Sequence, residues 1–305
     1  MVVGAIAAGA ATAMVIGVPT AMAQGHRPAG AVAQRAVTVP SAVPVAADAT
    51  PASAATSVAP DALGQQIATA ITAASPNTQV GVDVVNLETG ASLAGLNTDQ
   101  QFYTASVVKL LIAVDVLKSQ GWQPDPDTAA QLRQMLAASD DDIADELWDA
   151  NGADDIVHRM IDLMGLTGTQ APDDDTQWGE TRTTPSDVVN IYRYIATSVP
   201  QPSRDLLVGA LTGADQIAAD GTDQYFGIPD GLPGTAWAVK QGWMTLGSST
   251  TLDTTGLVGP QNDPLRYVVV LMTTQPADTT WAAGGSAVTA GIDVLRTIIA
   301  LPTNG

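Results

Sequence analysis

The sequence predicts an α/β fold of the α+β kind: an antiparallel sheet built from both chain ends, flanked by helices, with an all-helical subdomain inserted between. Three observations predict it. Residues 80–85 and 91–96 carry β-branched alternation around a Glu88-Thr89-Gly90 turn, which reads as a hairpin. Strand patterns then return only at 235–240, 249–257 and 267–274. Nearly everything between reads as helix, so one sheet is assembled from both ends of the domain.

The elements follow in chain order. Residues 1–23 are almost wholly apolar or small and end Ala21-Met22-Ala23 before Gln24. That is a signal-peptide pattern with a small-residue cleavage site. The run is also long enough for an uncleaved membrane anchor. Both readings put the folded part outside the cytoplasm, secreted or in the cell envelope. Residues 24–60, rich in Ala, Val, Pro, Thr and Ser without period, form a linker. The folded domain is expected over 61–305, with Asp61 capping a helix to about residue 73. A helix beginning near Thr104 is apolar on nearly every face from Val107 to Leu117, so it should be buried at the centre. Further helices are expected near 127–138, 142–148, 153–164, 185–197 and 203–211, the insert covering about 120–230. A last helix is expected over 283–299.

Composition excludes several function classes. Apolar residues make up 46% of the chain, so it has a core to bury. The net charge is −19 and there are only three lysines, Lys109, Lys118 and Lys240. That balance speaks against nucleic acid, whose phosphates need clustered Lys and Arg. There is no cysteine, which removes thiol nucleophiles, Cys-ligated zinc and disulfides together. Of two histidines, His26 lies in the linker and His158 reads as a solvent-facing residue on a polar helix face. A Ser-His-Asp triad therefore has no support, and no cofactor or metal is expected.

One cluster survives. Ser106 and Lys109 are three residues apart, which puts both side chains on one helix face. Ser106 falls at a helix start, where free N–H groups favour developing negative charge. Lys109 interrupts an apolar run, and burial lowers a lysine pKa toward the value of a useful base. Alone this is a weak pattern, and a snorkelling lysine would explain it equally well.

Spacing of other motifs adds to it. Ser106-Val107-Val108-Lys109, Ser139-Asp140-Asp141 and Lys240-Gln241-Gly242 together resemble the Ser-x-x-Lys, Ser-Asp-Asn and Lys-Thr-Gly signature of class A β-lactamases and penicillin-binding proteins. Gly179-Glu180-Thr181-Arg182-Thr183-Thr184-Pro185 looks like the close of that family's omega loop. The likeness covers about residues 61–303. It implies that Ser106 attacks an amide or lactam carbonyl and that Lys109 shares or accepts its proton. Ser139 would pass a proton to the leaving nitrogen, and Lys240 would orient Ser139 and attract a substrate carboxylate. Substrate would meet Asp141, Gln241, Gly242 and Trp243, with the N–H groups of Ser106 and Trp243 as the oxyanion hole.

The chain departs from the pattern in places. Asp141 stands where the family has asparagine, and a carboxylate only accepts hydrogen bonds; it is still able to pair with Lys109. Gln241 replaces a hydroxyl residue, and Trp243 adds bulk. The stretch after Gly165 has no Glu-x-x-Asn, whose glutamate activates the water that clears the acyl-enzyme. Asp173, Asp174, Asp175 and Glu180 are the nearby carboxylates, and the Asp run reads as a solvated loop. The resemblance thus implies a monomeric, exported serine acyl-transfer enzyme, acylated by a β-lactam or a peptidoglycan-like D-alanyl amide and slow to deacylate. A catalytically silent binding module of the cell envelope and a Ser-Lys esterase stay open at this point.

Overall fold

A computed structural model describes residues 59–299; the expected leader, the linker up to residue 58 and the last six residues lie outside the described part. The first helix, α1 (Pro60–Ala74), starts one residue before the expected cap. Ala59 is extended and Pro60 occupies the first helical position, where a missing N–H costs nothing. Leu63, Ile67 and Ile71 share one buried face, at the spacing of an amphipathic helix. That face lies on the sheet so closely that a Cβ on Gly64 would sit 2.4 Å from the Gly95 carbonyl oxygen.

The sheet has strands β1 (Gln79–Asn86), β2 (Ser92–Leu96), β5 (Ala236–Leu246), β6 (Ser249–Gly259) and β7 (Tyr267–Pro276), in the order β2-β1-β7-β6-β5. Every pairing is antiparallel. The two ends of the chain meet at β1–β7, with Val82 opposite Leu271 and Val84 opposite Val269. The sheet is therefore built as the sequence predicts. A separate two-stranded ribbon joins β3 (Phe102–Tyr103) to β4 (Arg182–Thr183).

Helices cover both faces. On one, α1 and the C-terminal helix α9 (Trp281–Asp293) enclose Ile67, Ile71, Val84, Leu271, Val288 and Ile292. The expected single C-terminal helix is broken: a turn at Val294 and Leu295 separates α9 from the short α10 (Arg296–Ile299). On the other face, α2 (Lys109–Ser119) is buried along almost its whole length. Around it stand α3 (Pro126–Ala137), α4 (Asp141–Ala150), α5 (Asp155–Met164), α6 (Pro185–Thr197) and α7 (Gln201–Thr212). The single turn α8 (Ile228–Gly231) leads back to the sheet. Each large aliphatic side chain buried there contributes about 1.5–3 kcal/mol.

Two charges sit in segments that look apolar in sequence. Asp115, in the middle of α2, receives a two-pronged bond from Arg159 on α5, at 2.9 and 2.8 Å. Asp83, on β1, lies 9% exposed. Burial raises its carboxyl from 3.8 to about 6, against the pull of Arg193 and with a push from Asp99. The folded protein thus holds this proton after the unfolded chain has lost it. Stability contributed by the neutral carboxyl is full below about pH 4 and is lost as pH rises to about 6. The shift corresponds to about 3 kcal/mol. Asp83→Asn is expected to flatten this slope and unfold later than wild type at pH 7. Equal urea midpoints at pH 4 and pH 7 for wild type would contradict it.

Candidate active site

The nucleophile candidate sits on a strained turn. Ala105 holds φ at +41°, costly for a residue with a side chain. It opens a 3₁₀ turn over Ala105–Val108, so Ser106 precedes α2 rather than lying within it. The Thr104 N–H donates to the Thr181 carbonyl at 2.8 Å, which ties this turn to the β3–β4 ribbon. Ser106 is 5% exposed. One turn later, the Lys109 Nζ donates to Ser106 Oγ at 3.0 Å.

Ser139 arrives from the α3–α4 junction. Its φ of +54° is another strained backbone. The helix cap there is Asp140, whose carboxylate accepts from the Ile143 N–H at 3.2 Å, so Ser139 is free of that task. Its left-handed conformation turns two oxygens to the lysine: Nζ of Lys109 donates to the Ser139 carbonyl at 2.7 Å and stands 3.4 Å from Oγ. The Lys240 Nζ donates to the same Oγ at 2.8 Å. Ser106, Lys109, Ser139 and Lys240 thus form one hydrogen-bonded chain, and Asp141 closes it with an ion pair to Lys109. Lys240 lies in the middle of β5, not at the end of a strand as expected, because β5 runs on to Leu246.

Both amines are desolvated. Burial pulls the Lys109 ammonium below the ordinary lysine value, and Asp141 restores part of the loss. Lys240 is held well below it, first by burial and then by the charge of Lys109. Two indoles cover them: Trp178 lies 4.9 Å from the Lys109 Nζ and Trp243 lies 5.8 Å from that of Lys240. A cation over an aromatic face is favourable, and the rings also exclude water.

Above this chain opens a cleft of about 330 Å³, lined by Ser106, Asp141, Asp145, Trp178, Trp243 and Met244 among others. Trp178 is fixed by its Nε1–H donating to Asp145 at 2.6 Å. Trp243 is fixed likewise by Asp220 at 2.9 Å. Trp243 belongs to the edge strand β5, whose alternate amides face away from β6.

Not every expected residue faces the cleft. Gln241, expected against substrate, is buried, and its amide donates to the carbonyls of Gln224 at 3.2 Å and Phe226 at 2.6 Å. The reason is strand alternation: with Lys240 turned to Ser139, its neighbour points to the opposite side. There it pins the segment before α8. Gly242 lines no wall either. It lets β5 approach the serine turn, since a Cβ there would lie 2.6 Å from the Thr104 carbonyl oxygen. None of Asp173, Asp174, Asp175 and Glu180 hydrogen-bonds to Ser106 or Lys109. Asp173 pairs with Arg182 at 3.2 Å, Asp174 bonds the Thr176 N–H and hydroxyl, and the Asp175 carbonyl receives the Trp148 indole. The loop is anchored by buried Asp187, which accepts from the N–H groups of Thr167 and Gly168. His158 is exposed beside Asp154, far from this chemistry in its bonding.

Trp178, Asp145 and Asp220 complete the site, and sequence reasoning missed all three. An indole in an otherwise polar, aspartate-rich loop was the one signal for Trp178. Asp145 and Asp220 carry none.

Comparison with known proteins agrees with this geometry. The profile of the β-lactamase enzyme family matches residues 62–121 and 127–291. LppW of Mycobacterium tuberculosis, a protein with a provisional lipoprotein name, is 34% identical over 213 residues, 68% of this chain. The Mycobacterium bovis protein of the same name matches equally. The chain spans 66% of the length of these curated relatives. Among solved structures, a β-lactamase from Chitinophaga pinensis superposes with a TM-score of 0.65 at 17% identity, covering 77% of this chain and 98% of that one. A variant of PBP-A, caught as an acyl-enzyme with penicillin G, superposes at 0.62 and 21% identity, covering 77% and 95%.

Proposed function

Since the chain belongs to the β-lactamase enzyme family, we propose that it is an exported serine acyl-transfer enzyme, acylated on Ser106 by β-lactams or D-alanyl peptide-like amides. The observation that carries this reading is the continuous hydrogen-bonded chain Ser106–Lys109–Ser139–Lys240 with both amines out of water. In its free-base form the Lys109 amine takes the Ser106 proton as Oγ bonds the carbonyl carbon. The N–H groups of Ser106 and Trp243 receive the developing oxyanion. As the C–N bond breaks, Ser139 gives its proton to the leaving nitrogen and is refilled from Lys109. Lys240 holds the Ser139 hydroxyl in line throughout. One proton thus leaves Ser106 and one reaches the released amine, and Lys109 and Ser139 end in the protonation states in which they began.

Release of the acyl group is slow in this reading. Among the described residues no loop carboxylate bonds to Ser106 or Lys109, and the Trp178 ring stands 4.9 Å from the Lys109 amine. The provisional lipoprotein name of LppW supports a cell-envelope location. Incubation with a fluorescent penicillin, followed by intact-mass spectrometry, tests the proposal. A single adduct that persists for many minutes is expected on wild type, and none on Ser106→Ala. Thermal stabilisation by the ligand without any mass gain would instead mark a silent binding module.

A further inference from the structure

Lys109 meets three close hydrogen-bond acceptors, one for each N–H of an ammonium. They are Ser106 Oγ at 3.0 Å, the Ser139 carbonyl at 2.7 Å and a carboxylate oxygen of Asp141. The Ser139 hydroxyl stands farther off, at 3.4 Å. Two of the three, the carbonyl and the carboxylate, only accept. When the amine gives up its proton, those two still take its remaining N–H groups. Its lone pair is then left facing the one close partner with a proton to give, the Ser106 hydroxyl. Asp141 therefore helps to aim the base.

The same carboxylate resists the loss of that proton. Lys109 is 0% exposed, and burial favours its neutral form. Asp141 acts against burial, through its charge and through its hydrogen bond. The other charged groups around Lys109 are engaged elsewhere. Asp140, the cap of α4, accepts from the Ile143 N–H, and Asp145 of α4 accepts from the Trp178 indole. Asp220, on the segment before α8, accepts from the Trp243 indole. Asp115, on α2 itself, is paired with Arg159 of α5. Lys240 of β5 is the like charge, and it donates to the Ser139 hydroxyl. Among the described residues only Asp141 forms an ion pair with Lys109, and its side chain is 58% exposed. The pair thus joins a buried cation to an anion at the cleft surface. An asparagine there would offer an acceptor oxygen without the charge.

Resting on the acyl-transfer reading above, we propose that Asp141 is a positioning residue that acts through Lys109: its charge retains the proton on the resting amine and so sets the pH at which Ser106 becomes reactive. Once that proton is gone, the Asp141 oxygen holds one N–H and keeps the lone pair turned to Ser106. Removing the charge weakens the hold on the proton, so the acid limb of acylation moves to lower pH. Contact with an opposite charge moves a titration by roughly 1–3 pH units, and the solvent around Asp141 puts this pair at the low end.

Two measurements test it. The first is the rate of mass gain on Ser106 with penicillin G, read on the full chain from about pH 5 to about pH 10. In Asp141→Asn the midpoint of the acid limb is expected to fall by about one pH unit, so rates on the wild-type limb rise about tenfold relative to the plateau. Asp141→Ser, also suited to a helix start, is expected to move it the same way. A midpoint is independent of the fraction of folded protein, so partial misfolding does not mimic the result. An unmoved or higher midpoint in both variants would overturn the assignment and leave acyl transfer standing. The second measurement needs no substrate. The chain has only three lysines, so isotope labelling of their Cε carbons gives three NMR signals. Lys109→Met identifies one of them, and exposed Lys118 serves as the reference. The Lys109 signal is expected to titrate about one pH unit lower in Asp141→Asn, with Lys118 unmoved. Equal titration of Lys109 in both proteins would overturn the proposal. No adduct at any pH would remove the acyl-transfer reading, while the NMR titration still decides whether Asp141 holds the proton.

Discussion

Lys109→Met is expected to slow acylation of Ser106 by about a thousandfold, the scale of a lost general base. Among the described residues this amine alone hydrogen-bonds to both Ser106 and Ser139 through a single nitrogen, at 3.0 and 3.4 Å. Methionine keeps most of the lysine stem, so α2 stays packed. Its sulfur takes no proton, so the relay is cut at its centre. The fold is expected to survive, because the substitution removes a buried ammonium rather than stranding one. Asp141 loses its partner but is more than half exposed, and water replaces the ion pair.

The pH dependence sharpens this test. Burial lowers both amines from the ordinary lysine value of 10.5. A protonated amine accepts nothing, so acylation falls toward acid pH and rises as the amine is freed. That rise is expected below the ordinary lysine value of 10.5 in wild type and is expected to disappear in Lys109→Met. Stopped-flow acylation with a chromogenic β-lactam across pH 5–9 (roughly the window over which small shifts matter for such bases) reads both effects. A wild-type rate in Lys109→Met would show that the Ser106 proton leaves by another route.

What was legible in the sequence followed from period and spacing. The hairpin of β1 and β2 and the returning strands alternate as half-buried or fully buried strands do. Ser106 and Lys109 meet because three residues make almost one helical turn. Ser139 and Lys240 could be placed only by likeness, since residues 30 and 101 positions apart along the chain share no local signal. The misses have the same cause. Asp115 sits in a run that reads as apolar, and its partner Arg159 is 44 residues away. Gln241 belongs to a motif position by spacing, but its rotamer answers to the carbonyls of a segment ending at Phe226. Trp178 lies in a loop without period, and the carboxylate that aims its indole comes from α4. The break between α9 and α10 falls at Val294 and Leu295, where neither Gly nor Pro stands to announce it.

Gly242→Ala is expected to cost about a hundredfold in acylation while the protein still folds. The added carbon would stand 2.6 Å from the Thr104 carbonyl oxygen, 3.2 Å from a Val107 methyl and 3.4 Å from the Ala105 Cβ. The first of these is backbone, which yields only if the strand and the turn separate by several tenths of an ångström. Thr104 and Ala105 lead directly into Ser106, and Trp243 follows Gly242. The same separation therefore pulls the nucleophile away from the strand amide that receives the oxyanion. A misplacement of about 1 Å costs on the order of 10² in rate, and shifts of both the nucleophile and the oxyanion donor add toward it. The strain itself costs about 1–3 kcal/mol, or roughly 2–12 °C in Tm for a domain of this size. Gly247→Ala, in the turn between β5 and β6 where a Cβ would meet nothing within 4 Å, is the matched control and is expected to acylate at the wild-type rate. If Gly242→Ala also acylates at that rate, the oxyanion is not held between Ser106 and β5, and the catalytic assignment of the strand fails.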